Sequence, residues 1–151
     1  MTSELTKDNI VDVLQNDMPL ASYCFENNTV IVDSSQLVPL CELIKTAPTI
    51  ELDFLSYISA VDYPQFFELV YRFYSIKYNH ALTVKVRLQD KQNPSMPSIT
   101  PLYNGANYQE REIYDLFGIT FTSHPKLKRI FLWETFPGHP LRKDFKNGNE
   151  R

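Results

Sequence analysis

The chain has 151 residues and a mass of 17.6 kDa, the length of one ordinary domain, enough to bury about two-thirds of its unfolded surface around a core. A composition of 43% apolar, 13% aromatic and 22% charged residues, with ten Phe and nine Tyr against four Gly, fits a packed globular domain and excludes a disordered chain. Fifteen basic against eighteen acidic residues leave a net −3, unlike a general nucleic-acid binder, and two cysteines make neither a disulfide framework nor a four-thiolate cluster site.

Gly105, Gly118, Gly138 and Gly148 are too scattered to assemble a dinucleotide fingerprint or a phosphate-binding loop. No apolar run approaches the ~20 residues that span a bilayer. The opening Met-Thr-Ser-Glu-Leu-Thr-Lys-Asp has neither a secretory nor a transit-peptide pattern, which predicts a protein that works on the side of the membrane where it is made. Charge is uneven along the chain. Residues 1–120 carry eight basic and fifteen acidic side chains, whereas residues 121–151 carry seven basic and three acidic, so an acidic body precedes a basic tail.

In chain order, Thr6 is suited to cap a short helix with Ile10, Val13 and Leu14 on one face. Tyr23–Phe25 and Thr29–Val32 read as two strands joined at Asn27-Asn28, residues that tolerate a left-handed turn. A second helix is predicted from Asp33-Ser34-Ser35, with Leu37, Leu40, Cys41 and Ile44 at helical spacing and Pro39 tolerable only near the first turn. Phe54–Val61 reads as a strand that Pro64 prevents from continuing. Phe67, Leu69, Tyr71 and Phe73 alternate with Glu68 and Arg72. Leu82, Val84, Val86 and Leu88 alternate with Thr83, Lys85, Arg87 and Gln89. That period of two predicts a sheet with one wet face. Tyr78-Asn79-His80 is the predicted connection between these strands. Residues 92–101 hold three prolines and read as a loop. A third helix is predicted over Asn104–Leu116, stopped by Gly118. Beyond it no periodicity is evident, and residues 119–151 read as an extended arm. The predicted fold is α+β, an antiparallel or mixed sheet with two to three helices, organised as a 1–118 core domain and a 119–151 C-terminal arm.

Glu110-Arg111-Glu112-Ile113-Tyr114-Asp115-Leu116-Phe117-Gly118 is the densest cluster of candidate functional residues. On a helix, Arg111 and Asp115 share a face and are expected to pair, with Glu112 at the flank, while Ile113, Tyr114 and Phe117 pack inward beside Glu110. His124 and His139 each precede a proline. Their spacing from Cys24 and Cys41 lacks the close pairs of structural zinc sites, and the two thiols read as buried and inert. Either histidine could act as a base oriented by Asp115 or Asp144, but no nucleophile is in a recognisable setting. His80 reads as a turn residue. The basic arm interleaves Lys126, Lys128, Arg129, Arg142 and Lys143 with Phe131, Trp133, Phe136 and Phe145. Such a pattern suits single-stranded nucleic acid or a protein partner, and the acidic body favours the protein.

Glu110-Arg111-Glu112-x-x-Asp115-Leu116-Phe117, followed by His124 and Lys128-Arg129-Ile130, resembles the signature of the 30-kDa subunit of respiratory complex I, the NADH-quinone oxidoreductase of bacteria. Ala60-Val61-Asp62-Tyr63-Pro64, Pro97-Ser98-Ile99-Thr100, Ala106-Asn107-Tyr108 and Gly138-His139-Pro140-Leu141-Arg142-Lys143-Asp144-Phe145 extend the resemblance over about residues 55–145. Ser123 stands where that family usually has Gly, and Tyr108 where it commonly has Trp. The resemblance implies a non-catalytic subunit in the peripheral arm of the complex, with no catalytic, cofactor or metal residues of its own. FMN, iron–sulfur clusters and quinone would be held by partner subunits. It implies docking on a separate 49-kDa-type hydrogenase-like subunit and its iron–sulfur neighbours through Glu110, Arg111, Glu112, Asp115, His124, Lys128, Arg129, His139, Pro140, Leu141, Arg142, Lys143, Asp144 and Phe145. The location implied is the cytoplasmic side of a bacterial inner membrane, or the equivalent matrix or stromal side. A related membrane-bound hydrogenase or ferredoxin-driven complex would use the same fold and docking helix. A nucleic-acid adaptor using the basic arm, or a hydrolase built on His139 and Asp144, are more distant readings.

Overall fold

The computed structural model describes residues 1–18 and 22–148. Its elements are β1 (Ser3–Glu4), α1 (Lys7–Leu14), β2 (Tyr23–Glu26), β3 (Thr29–Val32), α2 (Leu37–Thr46), β4 (Phe54–Asp62), β5 (Phe67–Ser75), β6 (His80–Leu88), β7 (Ser95–Pro97), α3 (Ala106–Phe117) and β8 (Thr120–Thr122). The main sheet runs β2-β3-β6-β5-β4, with β1 also beside β6. β3 and β1 pair with β6 in parallel, the other neighbours are antiparallel, and the sheet is mixed. An α+β domain results, as the sequence pattern predicts.

The core lies on one face. Phe67, Leu69, Tyr71 and Phe73 of β5 sit opposite Leu88, Val86, Val84 and Leu82 of β6, and all are buried. Ile10 and Leu14 of α1 and Leu37, Leu40, Cys41 and Ile44 of α2 close over them. α1 starts where expected, with the Thr6 N–H donating to Asn9 Oδ1 at 3.1 Å. α2 starts later than expected. Ser34–Gln36 form a 3₁₀ turn, and Pro39 becomes the third residue of the helix, where no intrahelical N–H is required. Asn27 and Asn79 take positive φ at the two predicted turns. His80 is not in the second turn but opens β6, and its Nε2 lies 2.7 Å from the Ile50 carbonyl.

Three expectations need correction. The outer face of the sheet is not simply wet: Glu68 is 2% exposed, held by Lys85 at 3.1 Å and by Arg87, its cross-strand neighbour, at 2.9 Å. Burial pushes the Glu68 carboxyl up, and the hydrogen bonds from Arg87 and Lys85 outweigh it and hold the group below its usual value. Cys24 is exposed, because its side chain faces away from the core on the edge strand β2, whereas Cys41 is buried. The proline-rich 92–101 segment is ordered around β7, which pairs in parallel with β8, Ser95 opposite Thr120.

That last pairing moves the root of the arm. Ile119 and Phe121 are buried in the core, so the chain leaves the body after Thr122 rather than after Gly118. The next residue, Ser123, has φ +62°, in the left-handed region that a glycine would occupy without strain. Phe121→Ala is expected to lower unfolding free energy by about 3–5 kcal/mol as the core opens at the root. Phe131→Ala, at a side chain 62% exposed, should change it by less than about 0.5 kcal/mol. Urea unfolding of the two variants separates root from tip, and equal losses would mean that the root is not anchored in the core.

Candidate docking site

α3 forms from a first residue packed in the core, Ala106, to Gly118, whose φ of +74° ends the helix while its N–H closes on the Tyr114 carbonyl at 2.9 Å. A helix end leaves carbonyls without partners, and here the arm supplies them. His139 Nδ1 lies 2.9 Å from the Asp115 carbonyl, and the Leu141 N–H donates to the Leu116 carbonyl at 3.0 Å. Gly118 has a second role. A Cβ there would stand 2.6 Å from His139 Cδ2, so glycine gives the imidazole its place as well as the turn its conformation.

The expected Arg111–Asp115 pair is not made. Asp115 is fully buried, and its carboxylate receives the backbone N–H groups of Ile130 at 3.1 Å, Phe131 at 2.7 Å and Leu132 at 3.0 Å, together with Arg129 Nη1 at 3.0 Å. Burial pushes this carboxyl up, and the three N–H groups and Arg129 outweigh it and hold it below the usual range. The rest of the Arg129 guanidinium donates to the carbonyls of Phe136 at 3.2 Å and Gly138 at 3.0 Å. Arg111 lies under the same stretch of arm, donating to the carbonyls of Lys128 at 3.1 Å and Arg129 at 3.3 Å. Two side chains of α3 thereby hold the backbone of five consecutive arm residues, Lys128 to Leu132.

Farther along, the closing motif is clipped to the sheet. The Asp62 carboxylate accepts the Lys143 N–H at 2.9 Å and pairs with Lys91. Arg142 donates to the Lys91 carbonyl at 2.9 Å and pairs with Asp144 at 3.0 Å, its guanidinium 5.1 Å from the Phe67 ring centre. Asp144 therefore serves Arg142, while His139 serves the helix end, and the two do not form an acid–base pair. Gly138, at φ +110°, leaves room for the Phe145 ring, which stacks on Phe136 at 6.0 Å; Trp133 meets Phe136 edge-on at 4.9 Å.

Glu110 belongs to a separate, fully buried cluster, with Ser98 Oγ at 2.6 Å, the Ile99 N–H at 2.9 Å and His124 Nε2 at 3.9 Å. Glu110 and Asp115 are therefore both turned to the interior of this chain. Glu112 is half-buried on the flank. Lys128, Leu141, Lys143 and Phe145 remain accessible to different degrees, and Pro140 is half-buried between His139 and Leu141. Asp62 and Lys91, which hold the arm, are not marked as site residues by the sequence. The Asp62–Lys143 bond spans 81 residues, and no local pattern signals it.

Much of what remains on the surface of the arm is apolar or basic. Phe131, Trp133, Leu141 and, on α3, Tyr108 are exposed. Among the described residues no carboxylate pairs with Lys126, Lys128, Lys143 or Lys146, whereas the body pairs Arg72, Lys77, Lys85, Arg87 and Lys91. Fold and site together define an α+β domain that presents a rigidly held, basic and aromatic arm, the kind of surface that protein partners take up.

The chain belongs to the family of the 30 Kd subunit of respiratory-chain NADH dehydrogenase, which it matches over residues 30–151. It is 46% identical over 120 residues to the mitochondrial NADH-ubiquinone oxidoreductase 30.4 kDa subunit of Neurospora crassa, covering 78% of this chain and 42% of that one. Identity to an NADH-quinone oxidoreductase subunit of Rhizobium meliloti is 44% over 117 residues, 76% of this chain and 63% of the relative. With the corresponding NADH-quinone oxidoreductase subunit of Roseiflexus castenholzii it is 42% over 126 residues, 81% and 71% of the two chains. The chain thus spans less than two-thirds of the first two relatives. A chain of the membrane-bound sulfane sulfur reductase, an archaeal respiratory membrane complex, shares the fold with a TM-score of 0.74 at 24% identity, over 92% of this chain and 85% of that one. Among the described residues no helix is long and apolar enough to cross a membrane.

Asp115→Asn removes the charge that gathers four donors. Breaking one partner of such a buried group costs about 3–5 kcal/mol, and the arm should become cleavable between residues 124 and 145 in limited proteolysis while the body survives. Because the folded carboxyl titrates below its unfolded value, its stabilisation is complete above the unfolded value and is lost as pH falls through the folded one. Gly118→Ala should release the same segment, with a backbone cost of about 1–2 kcal/mol before the displacement of His139 is added. Arms of unchanged protease resistance in both variants would show that the helix end does not hold the arm.

Proposed function

We propose that this chain is a non-catalytic, peripheral-arm subunit of an NADH:quinone oxidoreductase, and that its arm seats the neighbouring 49-kDa-type subunit in the position electron transfer requires. The observation that carries this reading is the arm itself, a backbone fixed from inside the chain so that Phe131, Trp133 and Leu141 point outward beside unpaired lysines. An aromatic side chain held in place before binding loses little entropy on docking, which is where interface energy concentrates. The lysines steer an acidic partner surface and fix register.

In this reading FMN, iron–sulfur clusters and quinone belong to partner subunits, and coupling to ion translocation belongs to the assembly. The role of this chain is geometric. It would lie on the cytoplasmic side of a bacterial inner membrane, or on the matrix or stromal side in an organelle. The fold likeness to a chain of an archaeal respiratory membrane complex supports a second version, the same docking role in a related membrane complex.

Trp133→Ala leaves the isolated chain with its thermal midpoint unchanged, since the side chain is 63% exposed, but should lower recovered assembled complex and its quinone reductase activity about tenfold or more, as loss of an interface anchor does. Co-purification from mild detergent with partner identification by mass spectrometry reads this. Undiminished assembly would overturn the docking role of the arm. Recovery of a large subunit without an NADH-oxidising module would keep that role and change the enzyme.

A further inference from the structure

The Glu110 cluster takes no part in holding the arm out, and its geometry has a use of its own. Glu110 Oε1 accepts the Ile99 N–H, and Oε2 lies 2.6 Å from Ser98 Oγ. Ser98 Oγ lies in turn 2.8 Å from Thr100 Oγ1 and accepts the Thr100 N–H at 3.1 Å. Thr100 lines an open pocket of about 440 Å³ at the N-terminal end of α3, with Pro101, Asn104, Asn107, Tyr108 and Ser123. A fully buried carboxyl is therefore joined through the Ser98 hydroxyl to Thr100, a residue of the pocket wall.

The relay satisfies both charge states without moving a heavy atom. With Glu110 ionised, Ser98 donates to Oε2 and Thr100 donates to Ser98. With Glu110 protonated, the carboxyl donates to Ser98 and Ser98 donates to Thr100. Only hydroxyl rotation separates the two arrangements. Release runs as one hop per bond: the carboxyl proton passes to Ser98, the Ser98 proton to Thr100, and the Thr100 proton to water or a buffer base in the pocket, each hydroxyl keeping one hydrogen.

The surrounding groups leave Glu110 as the site of exchange. His124, on the arm, accepts the Lys126 N–H on Nδ1 at 3.0 Å, which puts its proton on Nε2, directed at the Asn107 carbonyl at 3.1 Å. Cys41 of α2 and Tyr71 of β5 are the other titratable groups facing the cluster; burial first, and the Glu110 charge second, push both up, so they stay neutral. Ser98, Ile99 and Thr100 contribute no charge.

We propose that Glu110 is a reversible proton-binding site, loaded and emptied from the pocket through the Ser98–Thr100 relay. Burial, only partly offset by the bonds from Ser98 and Ile99, pushes this carboxyl up to about 7, which is consistent with exchange at neutral pH. Because the folded value lies above the unfolded one, the contribution to stability is complete only below the unfolded value and is lost as pH rises from there through the folded one.

The test is a carbon-13 NMR titration of the Glu110 side-chain carboxyl in the full chain, from about pH 5 to about pH 9, assigned through its own backbone correlations. A midpoint near neutrality is expected, retained in His124→Gln. Wild-type stability should fall as pH rises toward that midpoint and level off above it, and Glu110→Gln should show no such fall. Thr100→Val should leave the midpoint in place and slow proton exchange with solvent at least several-fold. A midpoint at the ordinary carboxylate value, no titration across the range, or loss of the transition in His124→Gln would overturn the site. Unchanged exchange in Thr100→Val would overturn the relay.

Discussion

A single carboxylate at the end of α3 decides the course of the C-terminal arm. Backbone without regular structure has no ladder to take its N–H groups, and a segment of that kind ordinarily frays. Asp115 gathers three consecutive N–H donors and one guanidinium around one buried charge, so the order of the arm is imposed electrostatically from inside the body. Everything outward of it inherits that order: the Arg129 fork that ties down the Phe136 and Gly138 carbonyls, the Trp133–Phe136–Phe145 row of rings, and the exposed faces of Phe131 and Trp133.

The same economy operates at the helix terminus. Carbonyls that most helices leave to water are bonded by His139 and Leu141, and the missing side chain of Gly118 is what lets the imidazole approach. The arm and α3 are therefore one structural unit, although they differ in regularity. The sheet supplies the second support through Asp62, Lys91 and Phe67, at the end of the β4–β5 hairpin, so the arm is held at both its beginning and its close.

Much of this is legible in the sequence. The alternation in β5 and β6, the helical spacing in α2, the stop at Gly118 and the basic tail all follow from local rules, and the family resemblance rests on motifs that the fold places around α3. What local rules misjudge are competitions with distant groups. Arg111 and Asp115 stand four apart, but an exposed pair of that kind is worth only about 0.3–0.5 kcal/mol, and Asp115 instead takes donors from residues fifteen to seventeen positions away. Glu68 looks solvated because it occupies a polar position of an alternating strand; the cations opposite it let it be covered. β7 hides among prolines because its partner, β8, lies beyond the whole of α3. Asp62 stands in one of the motifs of the resemblance, but nothing local marks it as an anchor of the arm, since that role depends on chain more than eighty residues later.

That long closure has a consequence for the order of events in the cell. The anchors of the arm sit on α3 and at the end of the β4–β5 hairpin, and the bond from Asp62 to Lys143 closes a loop of 81 residues. A chain in which β4 and α3 are not in place has nowhere to fasten Lys143 or His139 and cannot display Trp133 in a fixed direction. The outward-facing aromatic row therefore works as a seal of completion. It comes into register only on a finished body, and a neighbouring protein that recognises it selects, in the same contact, for folded copies.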